Sequence, residues 1–162
     1  MIKAESVRTD RLDLVPLRVG HAEEMAVVLG DPALHVFIGG EPEGVDELRA
    51  RYVRWDAGSP DPAVSWCNWV VRLRAEGCLV GTVQATVGGG GAEVSWVVGT
   101  PWQGRGIAAE AARGLVAWLR EQGLAKVVAH VHPDHAASAA VAAAAGLAPT
   151  DRRQDGEVRW EG

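Results

Sequence analysis

The sequence predicts an α+β domain built on a mixed, mostly antiparallel sheet flanked by helices. Three strand-like segments between Trp66 and Val98 are separated only by the short turns Ala75-Glu76-Gly77 and Gly88–Gly91, which is a meander. A strand–helix–strand run follows through Glu93–Val98, Ile107–Gln122 and Lys126–Val131, and a helical crossover places its two strands parallel. The 162 residues, 48% hydrophobic and 23% charged, suit one globular domain over residues 1–162 with a sizeable core.

Each element has a local reason. Arg11–Val15 alternates, with Leu12 and Leu14 on one face and Asp13 and Val15 on the other. His21–Leu29 reads as a short helix stopped by Gly30-Asp31-Pro32. Residues 31–44, with Pro32, Pro42, Gly39, Gly40 and Gly44, read as an irregular connection. Val45, Leu48, Tyr52 and Trp55 form the stripe of a helix that buries one face. Trp66–Leu73 and Cys78–Val87 are strands, and Trp66 and Trp69 fall on opposite faces of the first. In the long helix, Ala108, Ala112, Leu115 and Leu119 share a face, and Gly123 suits the position just past its end. Asp134 is the predicted N-cap of an alanine-rich helix that Gly146 ends, and Asp155-Gly156 predicts a terminal hairpin.

Composition excludes several classes. A net charge of −5 and a pI near 5.5 oppose a nucleic-acid partner, which would need a basic face. No apolar run approaches the ~18 residues of a membrane span, and the first residues lack the apolar core of an export signal. The expectation is a cytoplasmic protein without a membrane partner. Cys67 and Cys78 fall in separate strands and read as free thiols.

The most informative stretch is Thr100-Pro101-Trp102-Gln103-Gly104-Arg105-Gly106-Ile107-Ala108, which joins a strand to the long helix. The first amides of a helix lack intrahelical partners and the helix dipole is positive there. Glycines admit a phosphate close to the backbone, and Arg105 adds charge from the rim. The spacing of Gly104, Gly106 and Ala109 also fits a dinucleotide fingerprint. However, the turn lies late in the chain, and the next strand, Val127–Val131, carries no acid for a ribose. No Gly-Lys-Ser/Thr is present, so a Walker loop is excluded.

Gln103-Gly104-Arg105-Gly106-Ile107-Ala108 resembles the [QR]-x-x-G-x-[GA] motif of the GNAT N-acetyltransferase superfamily. The strand Ala92–Val98 and the opening Arg8-Thr9-Asp10-Arg11-Leu12 are similar to those of its Rim-type branch, which acetylates protein N-termini and, in relatives, small amines. The resemblance implies a sheet splayed where acetyl-CoA, the cosubstrate, inserts. It implies that amides from Gly104 to Ala109 hold the pyrophosphate and that Val97, Val98 and Gly99 pair with the pantetheine arm, with an N–H near Val98 facing the thioester oxygen. Gln103, Arg105, Ile107 and Ala108 belong to the same cofactor-binding set.

Acetyl transfer to an amine requires loss of the ammonium proton and release of the thiolate. Glu93, on the strand leading to the turn, matches the family's glutamate base, acting directly or through water. Many members protonate the thiolate with a late tyrosine, but no Tyr follows Tyr52. The Rim-type branch carries Asn-x-x-Ser-x-x-Val at this point, and this chain has His135, Ser138 and Val141. Ser138 is thus the candidate partner of the thiol sulfur, and His135 stands at a coenzyme contact or supplies a proton.

The acids Glu41, Glu43, Asp46 and Glu47 cluster near the expected acceptor wall and suggest a cationic acceptor, either a small amine or a protein N-terminus. They also suit the start of a solvated helix. The primary reading is a direct-attack N-acetyltransferase, and the alternative is a non-catalytic acyl-CoA-binding module. A small zinc hydrolase is the third reading, from His130, His132, Asp134 and His135, but too few ligands follow and no metal is expected. Homodimers are common in the family, and nothing in the sequence marks an interface.

Overall fold

The predicted meander forms the middle of a larger sheet. The computed structural model describes residues 2–162. Its strands are β1 (Val7–Arg8), β2 (Leu12–Pro16), β3 (Ser65–Leu73), β4 (Cys78–Gly88), β5 (Gly91–Val98), β6 (Lys126–Val131), β7 (Ala148–Gln154) and β8 (Glu157–Glu161). Its helices are α1 (Ala22–Val28), α2 (His35–Ile38), α3 (Val45–Ala57), α4 (Ile107–Glu121) and α5 (Ala136–Ala144). The sheet runs β1-β2-β3-β4-β5-β6-β8-β7, and every pair is antiparallel except β5–β6. The mixed sheet is therefore as predicted.

Two layers of core lie on its two faces. On one, Leu12, Leu14, Trp69, Val71 and Val83 pack against Ile107, Ala111, Leu115 and Leu119 of α4. On the other, Val70 and Leu79 are covered by Met25 and Val28 of α1 and by Leu48 and Tyr52 of α3. The register of β3 and β4 slips once, with Val71 opposite Gly81 and Arg72 opposite Leu79. The extra residue, Val80, shares one core with Val83 three positions on, which plain alternation would not allow, while Leu79 enters the other core and its N–H is accepted by Glu24 of α1 at 2.6 Å. Trp66 is 38% exposed and Trp69 fully buried, as their spacing requires.

Turn chemistry follows the sequence. Gly89 and Gly90 both have positive φ, which is the two-residue turn that matches strand twist, and Asp155-Gly156 makes the same turn between β7 and β8. Gly123 ends α4 with Gly123 N–H bonded to Arg120 O and Leu124 N–H to Leu119 O.

Four local expectations are corrected. Residues 31–44 contain the short helix α2. A two-residue strand, β1, precedes the first predicted one. The first long strand is shifted to Leu12–Pro16. Asp134 does not cap α5; His135 holds that position without a side-chain cap bond, and the Asp134 N–H is instead taken by His132 Nδ1 at 3.0 Å. No helix is long and apolar enough to cross a membrane among the described residues.

Candidate functional site

The site begins where two strands part. β5 and β6 pair only through Gly91–Lys126, Ala92–Val127 and Glu93–Val128. Beyond Glu93, β5 continues to Val98 on β4 alone, while β6 continues to Val131 on β8. The strands therefore fork at Glu93, and the residues past it leave backbone groups facing the gap. Gly99 N–H bonds Val80 O on β4, so strand alternation turns the Val98 N–H away from β4. The Val98 carbonyl accepts the Gln103 side-chain amide at 3.0 Å.

The glycine turn lies at the open end of this fork. Gly104 and Gly106 have φ of 77° and 74°, a region costly for residues with a Cβ. Glu110 N–H closes the first turn of α4 on Gly106 O. The amides of residues 107–109 come before that bond and have no intrahelical acceptor. Gly106, at the N-cap, has no side chain to accept from these amides. A Cβ added at Gly104 would meet nothing within 4 Å. This is an open set of donors at the positive end of a 15-residue helix, suited to a phosphate group.

A partly buried network fixes the turn from behind. The Thr9 hydroxyl, the Arg11 N–H and Arg11 Nε donate to the Glu110 carboxylate at 2.5, 2.9 and 2.7 Å. Arg11 Nη1 donates to the Arg105 carbonyl at 2.8 Å. Burial pushes the Glu110 pKa up, but these hydrogen bonds and the Arg11 charge outweigh it and hold the carboxyl below its ordinary value. A glutamate so lowered contributes stability that is full above its unfolded pKa and lost as pH falls through the folded one. Arg11→Ala is therefore expected to destabilise the fold by about 1–2 kcal/mol near neutral pH, a modest figure because Arg11 is 44% exposed. Urea unfolding across pH checks it: the gap to wild type should shrink on acidification below the ordinary glutamate range.

A cleft of about 1100 Å³ runs from the turn into the fork. Of the residues predicted at the site, Glu93, Val97, Val98, Gln103, Gly104, Gly106, Ile107, Ala108, Ala109, His135 and Ser138 all line it. Arg105 and Gly99 do not. The Arg105 guanidinium turns away to Glu76, at 2.8 Å, and ties the phosphate-type turn to the β3–β4 turn. Gly99 is closely packed, and a Cβ there would sit 2.9 Å from the Trp102 ring.

The acids proposed as an acceptor rim are also elsewhere. Glu43 pairs with Arg51 and Asp46 with Arg49 at the start of α3, and none of Glu41, Glu43, Asp46 and Glu47 lines the cleft. The carboxylates that do line it are Glu93, Asp155 and Glu157, with no lysine or arginine among the described lining residues. The sequence missed this contribution of the terminal hairpin, because nothing local to Asp155 or Glu157 says which end of the sheet β8 reaches.

The histidines are used separately. His130 Nδ1 lies 2.7 Å from Glu93 Oε1, and His135 stacks on Phe37 with ring centroids 4.2 Å apart. Phe37 also touches His132, with centroids 5.1 Å apart. Burial first, and then His132, push the His135 pKa down, which favours the neutral ring. Among the described residues, no group of three His, Cys, Asp or Glu side chains is placed to hold a metal ion. Tyr52 lies in the α1–α3 core away from the cleft, and burial pushes its phenol up to about 12. Burial likewise raises the Cys67 thiol to about 11.

The fold has counterparts among known proteins. The family model described as acetyltransferase (GNAT) domain matches residues 11–148. Solved structures share the fold at low identity. RimL, a ribosomal L7/L12 α-N-protein acetyltransferase solved in complex with coenzyme A, is 14% identical at a TM-score of 0.79, over 98% of this chain and 97% of its own. A chimera of Vibrio cholerae spermidine N-acetyltransferase SpeG and hSSAT is 19% identical at a TM-score of 0.75, over 94% and 95%. The ribosomal-protein-S5-alanine acetyltransferase of Vibrio fischeri is 17% identical at 0.74, over 98% and 96%. No curated protein sequence matches the chain.

Proposed function

The chain belongs to the GNAT acetyltransferase family, and from that premise we propose that it is an acetyl-CoA-dependent N-acetyltransferase whose acceptor amine attacks the acetyl group directly, with both substrates bound. The observation that carries this reading is the fork. A carboxylate, Glu93, stands where β5 and β6 separate, in the same cleft as the unpaired amides of the glycine turn.

In this reading the amides from Gly104 to Ala109 hold the diphosphate of the coenzyme. Their positions fit it, because the donors are unpaired and the cradle is not filled by a side chain. Gln103, Ile107 and Ala108 complete the turn, and Arg105 acts from its rim. Val97 and Val98 offer the edge of β5 to the pantetheine arm, with Gly99 holding the strand end against β4, and His135 lies along the arm beside Ser138. The coenzyme, when bound, supplies the acetyl thioester. Glu93 takes the acceptor's proton, directly or through a water, and Ser138 hydrogen-bonds the thiol sulfur.

The acceptor is a small cationic amine or a protein N-terminus. The carboxylates Glu93, Asp155 and Glu157 support a positively charged acceptor, and no opposing lysine or arginine lines the cleft among the described residues. A coenzyme-binding module without turnover would need no carboxylate at the fork. Thiol release from acetyl-CoA over a panel of amines and N-terminal peptides separates the two. We expect turnover with at least one amine; binding without turnover for every acceptor would instead make the chain a binding module.

A further inference from the structure

One interaction in the cleft has no part in the chemistry above. His130 lies on β6 two residues past Val128, the last residue of β6 that pairs with β5. Strand alternation puts the side chains of Val128 and His130 on one face, and Glu93, opposite Val128, shares it. The imidazole thus reaches back across the mouth of the fork to the carboxylate, with His130 Nδ1 2.7 Å from Glu93 Oε1. The two side chains differ sharply in exposure: that of Glu93 is 57% exposed and that of His130 is 11% exposed. The buried member is well placed to fix the exposed one.

The ring's surroundings also decide its tautomer. A carboxylate only accepts hydrogen bonds, so the nitrogen facing it must donate. His130 Nε2 is buried and has no hydrogen-bond partner among the described residues, so a proton there would have no acceptor. Both facts place the hydrogen of the neutral ring on Nδ1.

Building on the N-acetyltransferase reading, we propose that His130 is a positioning residue for Glu93. As the Nδ1–H tautomer it holds Oε1 at the fork and leaves Oε2 directed to the cleft to receive the acceptor's proton. The proton passes from the amine nitrogen to Oε2, directly or through one water, and leaves from there to solvent. His130 itself neither gains nor loses a proton.

Two substitutions test this against a proton-carrying or merely space-filling role. His130→Leu removes the donor, whereas His130→Asn keeps an N–H near the place of Nδ1 and cannot titrate as imidazole does. We expect His130→Leu to lower kcat about tenfold or more, with the calorimetric affinity for acetyl-CoA unchanged, and His130→Asn to recover kcat to within about threefold of wild type. Wild-type kcat in His130→Leu, or a His130→Asn variant that binds acetyl-CoA normally yet is as slow as His130→Leu, would overturn the proposal. Nitrogen-15 NMR of histidine-labelled protein reads the geometry without turnover. Neutral His130 should show a protonated Nδ1 and a bare Nε2, with the signals moved by Glu93→Gln, and the opposite tautomer would refute the pairing. Failure of every amine to react would instead count against the enzymatic reading and leave the tautomer result standing.

Discussion

Replacing Glu93 by glutamine is expected to lower kcat by about a hundredfold to a thousandfold near neutral pH while leaving acetyl-CoA affinity within about twofold. The asymmetry is the informative part. Glu93 is at the fork, on the face away from α4, whereas the donor cradle is at the start of α4 and does not use that side chain. An amine of the lysine type, with a pKa of ~10.4, is almost wholly protonated at neutral pH and must lose that proton before it attacks. Glutamine keeps the size and hydrogen-bonding reach of the residue but cannot take a proton. The residual rate should therefore rise with pH, as the free amine becomes more abundant without help. Steady-state kinetics from pH 6.5 to 9.5 with one amine check this, and unchanged kcat with an unaltered profile would remove Glu93 from the role of base.

The second large effect is expected at Gly106. This residue sits at φ 74°, caps α4, and carries the carbonyl that accepts the Glu110 N–H. A β-branched side chain is strained at positive φ by about 1–3 kcal/mol. Gly106→Val should relieve that strain by turning the peptide, which disperses the unpaired amides of residues 107–109. We expect acetyl-CoA affinity to fall about a hundredfold, which corresponds to about 2.7 kcal/mol. A smaller loss of fold stability should accompany it, because the Arg11–Glu110 network holds the same turn from the other side. Calorimetric titration of the folded variant checks the binding, and thermal unfolding checks the fold.

The parts of the molecule that were legible in the sequence are those set by local chemistry. The meander shows in its alternating strands and glycine turns, and the long helix in its apolar stripe and in Gly123. The glycine turn is readable because positive φ and unpaired helix amides both demand glycine at fixed places. What was not legible depends on contacts between distant residues. Arg11 and Glu110 are 99 positions apart, and neither has neighbours that forecast the other. The Glu93–His130 contact arises from a parallel register that stops after three residue pairs, and strand propensity does not encode where a pairing ends. Residues Asp155 and Glu157 reach the cleft only because β8 inserts between β6 and β7. The Arg105–Glu76 pair was hidden for a related reason: a basic residue beside a phosphate-type turn suggests a phosphate contact, and nothing local to it points to a carboxylate on a separate turn.

Coenzyme A carries a 3′-phosphoadenosine diphosphate on the thiol arm, and 4′-phosphopantetheine and pantetheine carry one phosphate and none, so titrating all three into the wild-type protein reads what phosphate at the start of α4 contributes. Saturable one-to-one binding of coenzyme A, at least about a hundredfold tighter than pantetheine, is the predicted result. Equal affinities, or no detectable heat with coenzyme A on folded protein, would contradict the account.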